Sequence, residues 1–597
     1  MSEIPARLSA WRGKMREAGF SVTVVPTGDR HGSEYLAEHD KVRRWLSGFT
    51  GSAGTLVVGR EEAALFTDGR YFIQAERELQ GSGIRLMRMN TPGVPEAEEY
   101  AAFLARGGTA GVDFRVISAA WAKAFREKLR AQGAGLADTG DWAEALWADR
   151  PPLPSAPAYA LEERFTGRPA AEKLAGIRAA AEKAGAQVHI MNALDEICWT
   201  LNVRGGDVAY TPVVMSFLLV TEKEALWFVD GSKADSALRA DLGKAGVRIL
   251  PYAEVNTALR SLDPAKRVLL DPERLSEDLF SCIAPGAAVE GKNPAFLQKA
   301  VKNETELVNL REIHIRDGLA LTRFIYWMKK NAGRIRITES GAAERLLRFR
   351  REIPGFVTPS FETICAYGAN AAMMHYRAEP GRDAEIAPSG LLLVDSGGQY
   401  PMGTTDVTRT FALGQVEEEQ KVHFTAVVES VFRLSEATFL SGMSGMKLDV
   451  LARGPVWDLM LDYRCGTGHG VGQMLCVHEG PNGFRWMRSS GRSEETELVP
   501  GMVTTDEPGI YIEGSHGIRT ENELVCRVVG ENEYGRFLGF ETITCAPIDL
   551  DAILPERLSD GTRAALNRYH AFVREKLLPL LMDEAERDWL ALATRPV

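Results

Sequence analysis

The chain has 597 residues, 45% of them apolar and 25% charged, with a formal charge of -11. These are the proportions of a soluble globular protein, and about 150 residues per domain allows about four domains, each able to bury a core. The acidic balance argues against a general nucleic-acid binder, which needs a basic stripe, and against adhesion to anionic membranes.

Seven cysteines, at positions 198, 282, 365, 465, 476, 526 and 545, are odd in number and show no CxxC spacing. That pattern speaks against a disulfide framework or a zinc ribbon and for a reducing compartment. The N-terminal run Met1-Ser2-Glu3-Ile4-Pro5-Ala6-Arg7 meets charge before any apolar stretch, so no signal peptide is expected. No apolar run approaches the roughly 18 residues of a membrane span, Val213 to Val220 being among the longest. The expected home is the cytoplasm.

In chain order, an amphipathic helix is predicted from near Ile4, then a strand at 22–25 ended by Pro26. The turn-rich segment Gly48-Phe49-Thr50-Gly51-Ser52-Ala53-Gly54 leads into a strand at 55–58, and another strand at 64–67 stops at Asp68-Gly69-Arg70. With a helix over 119–132, this reads as an α/β domain. Pro151, Pro152, Pro154 and Pro157 then break all periodicity and mark a boundary. A second α/β pattern follows: a helix at 170–184, a strand at 188–190, a hairpin of 213–220 with 225–229, and a buried strand at 268–270. The two domains look alike in layout without a convincing sequence repeat.

Asn303 with Glu306 three residues later predicts a capping box. Leu310, Ile313, Ala320, Leu321, Phe324 and Met328 then share one helical face, as do Phe424, Val427, Val428, Val431 and Leu434 further on. The predicted domains are 1–148, 149–302 and 303–597.

Five candidate ligands fall in the third segment. Asp395 follows the buried run Leu391-Leu392-Leu393-Val394, and Asp406 stands in Thr404-Thr405-Asp406-Val407-Thr408. A symmetric hairpin centred between residues 400 and 401 would set the two aspartates directly opposite, with Cβ atoms roughly 5 Å apart. Glu507 and Glu521 are symmetric about Gly514, although Pro508-Gly509 is expected to bend that hairpin. His469 lies in Gly466-Thr467-Gly468-His469-Gly470-Val471-Gly472, whose glycines leave the imidazole uncrowded and let other backbone approach.

Any one of these carboxylates reads as a turn former, a cap or a solvated charge. Together, four carboxylates and one imidazole suit two divalent cations. Oxygen ligands with a single nitrogen favour Mn²⁺ or Co²⁺ over a thiolate-rich zinc site, and water between two such ions would be acidified into a nucleophile.

The stretches Asp395-Ser396-Gly397-Gly398-Gln399-Tyr400, Gly403 to Thr410, Gly466 to Gly472, Val477-His478-Glu479-Gly480-Pro481, Thr505 to Gly509 and Gly517 to Asn522 closely resemble the aminopeptidase P (Xaa-Pro aminopeptidase) family. Ser33-Glu34-Tyr35, Ser47 to Gly54 and Thr67 to Phe72 resemble its first domain. Leu194-Asp195-Glu196-Ile197 with Asn202-Val203-Arg204-Gly205 resembles the second domain of its long, three-domain form.

The resemblance implies two creatinase-like N-terminal α/β domains followed by a pita-bread catalytic domain of α+β type with a C-terminal extension. It implies a dinuclear manganese site, often in a homodimer, and removal of the N-terminal residue from peptides with proline second. In that scheme Asp406 and Glu521 bridge the ions, Asp395 binds one, and His469 and Glu507 bind the other. Glu507 also takes a proton. His375 and His478 match family residues that hydrogen-bond substrate, aid proton transfer and face the scissile carbonyl.

Arg519 would anchor substrate or order the ligands, Tyr511 would wall the pocket or pack, and Glu34 would reach the site or remain solvated. Cys465 departs from the long form, in which histidine is common at that position. It is expected to be a substrate-proximal variant and not a nucleophile, since no base partner is indicated. The alternatives are a prolidase-type dipeptidase, a metal-free creatinase, against which the intact ligand set speaks, and a catalytically inactive pita-bread binding protein.

Overall fold

The structure, a computed structural model, describes residues 3–487 and 495–597, so Met1 and Ser2 of the N-terminal run lie outside the described residues. The chain divides into two compact units, Met1–Leu161 with Arg168–Ala295, and Glu162–Gly167 with Phe296–Val597. Among the described residues no helix is long and apolar enough to cross a membrane.

The first unit holds two six-stranded sheets. One runs in the order Arg85–Arg88, Ala63–Thr67, Thr55–Gly59, Val22–Pro26, Thr109–Val112, Gly135–Asp138. The other runs Val247–Leu250, Ala225–Val229, Ser216–Thr221, Val188–Met191, Val268–Leu270, Ala288–Glu290. In each, the first three strands in chain order form an antiparallel meander and the last three add in parallel at the edges. The likeness of layout expected from the sequence is thus a shared topology.

The predicted second hairpin pairs Ser216 with Val229 through Val220 with Ala225, starting three residues later than expected. The sequence helices appear as Ile4–Ala18, Ala119–Ala131 and Ala170–Lys183.

The second unit opens on the helix Glu304–Asn331. Asn303 Oδ1 accepts from the Glu306 amide at 3.1 Å while Glu306 Oε2 accepts from the Asn303 amide at 2.9 Å, which completes the predicted capping box. The six apolar residues of its predicted face are all buried, as are those of the helix Glu418–Ser435. Between and after these helices lie a three-stranded sheet of Ile364–Tyr367, Leu391–Ser396 and Val407–Ala412, and a six-stranded sheet. The latter runs in the order Phe439–Leu440, Gly535–Thr542, Asn522–Asn532, Val503–Asp506, Gly468–Gly470, Glu479–Phe484. The hairpin Gly509–Ile512 with His516–Arg519 stands beside them.

The hairpin of the two aspartates has a different register from the expected one. Asp395 pairs with Thr408 and Tyr400 with Gly403, so the centre falls between residues 401 and 402. Pro401-Met402 occupies the turn, and the ladder breaks at Asp406, whose amide donates instead to Glu523 Oε1 at 2.8 Å. A shift of the partner by two residues keeps the side-chain face, so Asp406 sits diagonal to Asp395 and not opposite it. The glutamate hairpin keeps its predicted register: Gly509 pairs with Arg519 and Ile512 with His516, about Gly514. The bend expected at Pro508-Gly509 is also present, because the strand Val503–Asp506 ends before Glu507 and pairing resumes at Gly509.

A buried trio anchors the aspartate hairpin. Arg350 Nε and Nη2 donate to the two Asp317 oxygens at 2.8 and 2.9 Å, and the Tyr400 hydroxyl donates to Asp317 Oδ1 at 2.6 Å. Arg350 Nη2 also reaches the Ser396 carbonyl at 3.3 Å. Burial alone would raise the Asp317 carboxyl, but the guanidinium and the phenol outweigh it and hold it below its usual range. Arg350→Met strands that carboxylate in the interior and is expected to cost about 3–5 kcal/mol. The check is the denaturation midpoint of the purified variant, and an unchanged midpoint would refute the anchoring role.

Candidate metal centre

Three of the five candidate ligands, Asp406, Glu507 and Glu521, sit in gaps between strands, and Asp395 and His469 lie within short strands. Asp395 is the fifth residue of Leu391–Ser396, and Asp406 immediately precedes Val407–Ala412. His469 is the middle of Gly468–Gly470, Glu507 follows Val503–Asp506, and Glu521 lies between His516–Arg519 and Asn522–Asn532. Backbone bonds lock these breaks together: the Glu507 amide donates to the Thr467 carbonyl at 2.7 Å and the Glu521 amide to the Thr408 carbonyl at 3.1 Å. The glycines beside His469 are obligatory in this packing. A Cβ on Gly468 would lie 1.9 Å from the Thr505 carbonyl oxygen, and one on Gly470 would lie 2.3 Å from that of Glu479.

The side chains converge. Asp406, His469 and Glu521 offer ligand atoms all within 4.8 Å of one another. His469 Nε2 lies 3.6 Å from Asp406 Oδ2 and 3.4 Å from Glu507 Oε1. Its Nδ1 is 3.0 Å from the Gly470 carbonyl, which can only accept. Nδ1 therefore donates, which leaves Nε2, the atom that faces the carboxylates, as the one that could bind a metal. Asp395 stands at the edge of the group: its Oδ2 accepts from Arg519 Nη2 at 2.6 Å, while its buried Oδ1 has no hydrogen-bond partner among the described residues. The donor set therefore fits hard divalent cations, with several carboxylate oxygens held close to one imidazole nitrogen.

Residues that the sequence reading did not single out complete the arrangement. Thr408 Oγ1 donates to Glu521 Oε2 at 2.7 Å, and Thr505 Oγ1 accepts from the His469 amide at 3.0 Å. Glu523 steadies the Asp406 amide with Oε1, and its Oε2 lies 3.2 Å from His314 Nε2. Arg409, fully buried, donates to the backbone carbonyls of Thr408 and Glu521 at 2.8 and 2.5 Å. Strand alternation could have flagged Thr408 and Glu523, each two residues beyond a candidate ligand. Nothing local marks Arg409 or His314.

Arg519 is buried, and its guanidinium meets Asp395, Thr408 Oγ1 at 3.1 Å and the Tyr511 hydroxyl at 2.6 Å. Among the candidate ligands these bonds reach Asp395. The Tyr511 hydroxyl accepts from Arg519 Nη1, and its ring packs against the apolar core of the second unit. His478 is half-buried, and its ring meets that of His469 edge-on at 4.3 Å and 83°. His375, also half-buried, follows the turn Gly368–Ala372, where the Ala371 carbonyl lies against Gly517 of the Arg519 strand. Cys465 has a thiol pushed up to about 11 by burial and by the Glu507 charge, so it is not a thiolate at neutral pH. Glu34 lies in the first unit and is exposed.

Burial, then mutual repulsion among the carboxylates, drives Asp406 and Glu521 well above their usual range. Burial raises Glu507 to about 7, although Arg519 opposes the shift. These folded-state values exceed the unfolded ones, so without metal the cluster's stability is fully present below about 4. The Glu507 share is lost as the pH rises through about 7, and the shares of Asp406 and Glu521 are lost only above their usual carboxylate range. Divalent cations reverse that loss. The Tm increase on adding Mn²⁺ to chelated protein is expected to be larger at pH 8 than at pH 5.5, and an equal or smaller increase at pH 8 would contradict this electrostatic account.

Comparison with known proteins agrees with the geometry. The family model for the creatinase/prolidase N-terminal domain matches residues 7–146, and a second model of that description matches 149–306. Metallopeptidase family M24 matches 308–527, and the C-terminal region of peptidase M24 matches 536–597. A probable Xaa-Pro aminopeptidase P of Sordaria macrospora is 38% identical over 99% of both chains. Aminopeptidase P2 of Arabidopsis thaliana is 37% identical over 100% of this chain and 89% of its own. The crystal structure of X-prolyl aminopeptidase from Caenorhabditis elegans, described as a cytosolic enzyme with a di-nuclear active site, superposes with a TM-score of 0.94. It is 32% identical and covers 100% of this chain and 99% of its own. With two creatinase-type N-terminal domains, an M24 domain and full-length similarity to these enzymes, the chain belongs to the Xaa-Pro aminopeptidase P family of metallopeptidases.

Proposed function

We propose that this chain is a metal-dependent aminopeptidase that removes the N-terminal residue from peptides with proline at the second position. The observation that carries the reading is the convergence of Asp406, His469 and Glu521 with Glu507 at hydrogen-bonding range and Asp395 beside them, from segments up to 126 residues apart. In this reading Asp395, Asp406, His469, Glu507 and Glu521 hold two divalent ions, Mn²⁺ being favoured by the oxygen-rich set. Paired divalent cations supply acidified water and carbonyl polarisation at such a site.

The chain's own side chains do the rest. Glu507 accepts the proton of the attacking water, and His478 and His375 contact the substrate carbonyl and deliver a proton to the leaving nitrogen. That nitrogen is tertiary in an Xaa-Pro bond and has no N–H to hydrogen-bond, so cleavage leans on polarisation of the carbonyl and on donors placed around it. Arg519 orients Asp395 by a buried hydrogen bond of 2.6 Å.

The same proposal divides the chain at 148 and 302 into two creatinase-like domains and a catalytic domain with its C-terminal extension. The separation of the two six-stranded sheets supports the first boundary. A cytoplasmic location is proposed in line with the cytosolic C. elegans enzyme, and a homodimer is proposed from the family resemblance alone.

Steady-state hydrolysis of Arg-Pro-Pro is expected to vanish after chelation, to return with Mn²⁺, and to exceed that of Ala-Pro. A preference for the dipeptide would make the chain a prolidase. Asp406→Asn is expected to lower kcat by at least about a hundredfold while the fold is kept. Intact Mn²⁺-dependent turnover in that variant would remove the ligand assignment. Cys465→Ala should retain kcat within about a factor of ten, because a protonated thiol contributes packing and not nucleophilic chemistry. Complete loss of turnover with metal retained would reopen the nucleophile reading.

A further inference from the structure

Behind the candidate centre lies a charged cluster that the proposed mechanism does not use. The Glu479 carboxylate meets Lys302 Nζ at 2.6 Å and Lys299 Nζ at 2.9 Å, and all three side chains are 1% exposed. Lys302 Nζ also donates to the Lys299 carbonyl at 2.8 Å. Ionisable groups packed in the interior are costly to desolvate. A stable fold reaches the same burial more cheaply with apolar side chains of similar length, so the cluster calls for a reason beyond stability.

Its position gives one. Glu479 directly follows His478, and exposure alternates there: Val477 and Glu479 are buried while His478 between them is half-exposed. The backbone of Glu479 pairs with Gly470, next to His469, and its Oε2 would lie 3.1 Å from a Cβ on Gly472. The carboxylate thus packs beneath the glycine loop of His469. On the other side, the lysine segment is fixed to the sheet: Val301 bridges Met502, and the Lys302 amide donates to the Gly501 carbonyl at 2.9 Å. Gly501 and Met502 lead directly into Val503–Asp506 and Glu507.

The geometry points to Glu479, with Lys299 and Lys302, as a positioning clamp. It fixes the backbone of His478 against the strand that carries Glu507, so that the imidazole meets the reacting carbonyl at a set distance from the metal-holding residues. The inference rests on the peptidase reading above and names residues for that site beyond its ligands. The clamp touches no substrate. It acts through His478, so its loss is felt where His478 acts, in the transition state, and not in ground-state binding.

The test is steady-state kinetics on Arg-Pro-Pro with Mn²⁺-loaded full-length protein, metal content being measured for each variant. Glu479→Gln is expected to lower kcat about ten- to a hundredfold with KM changed less than threefold and two metal ions per chain retained. Lys299→Met removes one ammonium without stranding the carboxylate and is the milder variant, with a smaller fall in kcat, should Glu479→Gln fold poorly. The deciding measurement is a double-mutant cycle: in a His478→Ala background, Glu479→Gln and Lys299→Met should cost little further kcat. Additive losses in that background, or unchanged kcat in both single variants with an active parent, would overturn the clamp. An inactive wild-type protein under the same metal loading would instead count against the peptidase reading itself.

Discussion

Four carboxylates packed against one another in a buried place are the constraint around which the second unit is arranged. Left to themselves they repel, and burial compounds the penalty by disfavouring every charged form. Asp406 and Glu521 sit well above their usual range for that reason. The surrounding structure offsets this only in part, through Arg519 on Asp395 and Thr408 on Glu521. The remainder is a standing preference for divalent cations, which binds the fold and the chemistry to the same electrostatic term.

The backbone serves that arrangement by interrupting regular structure where the ligands stand. A continuous ladder would turn alternate side chains to opposite faces and keep each amide paired within its sheet. Instead Asp406, Glu507 and Glu521 occupy gaps, and their amides bond across to Glu523, Thr467 and Thr408. These crossing bonds hold separate sheet segments at one fixed distance. The close backbone approaches at Gly468 and Gly470 do the same for His469, at a spacing no side chain with a Cβ could share.

The layers behind the site share a pattern of buried charged side chains held by buried polar or charged partners. Arg350 with Asp317 and Tyr400 fixes the aspartate hairpin, Arg409 fixes the strand beside it to the Glu521 backbone, and the lysine pair fixes the strand after His478. Each such group is expensive to desolvate and tolerable only when fully paired, which makes it sensitive to position. A site whose function depends on distances of a few tenths of an ångström gains from supports of that kind.

Periodicity and end signals were enough to read the long elements: the Asn303–Glu306 capping box, the apolar faces of Glu304–Asn331 and Glu418–Ser435, and the hairpin symmetry about Gly514 are all local patterns. The aspartate hairpin shows the limit of such reasoning. Symmetry about its turn put Asp395 opposite Asp406, but Pro401-Met402 and the break at Asp406 moved the register by two residues, and only face parity survived. By itself the chain determined which residue types could hold paired cations and how the two glutamates flank Gly514, because ligand chemistry and turn spacing are written locally. Tertiary structure alone decided that Arg519 takes Asp395, that Arg409 and His314 brace the centre, and that Lys299 and Lys302 meet Glu479. Those partners are brought together by packing between distant segments, and no periodicity in the sequence encodes which buried charge will face which.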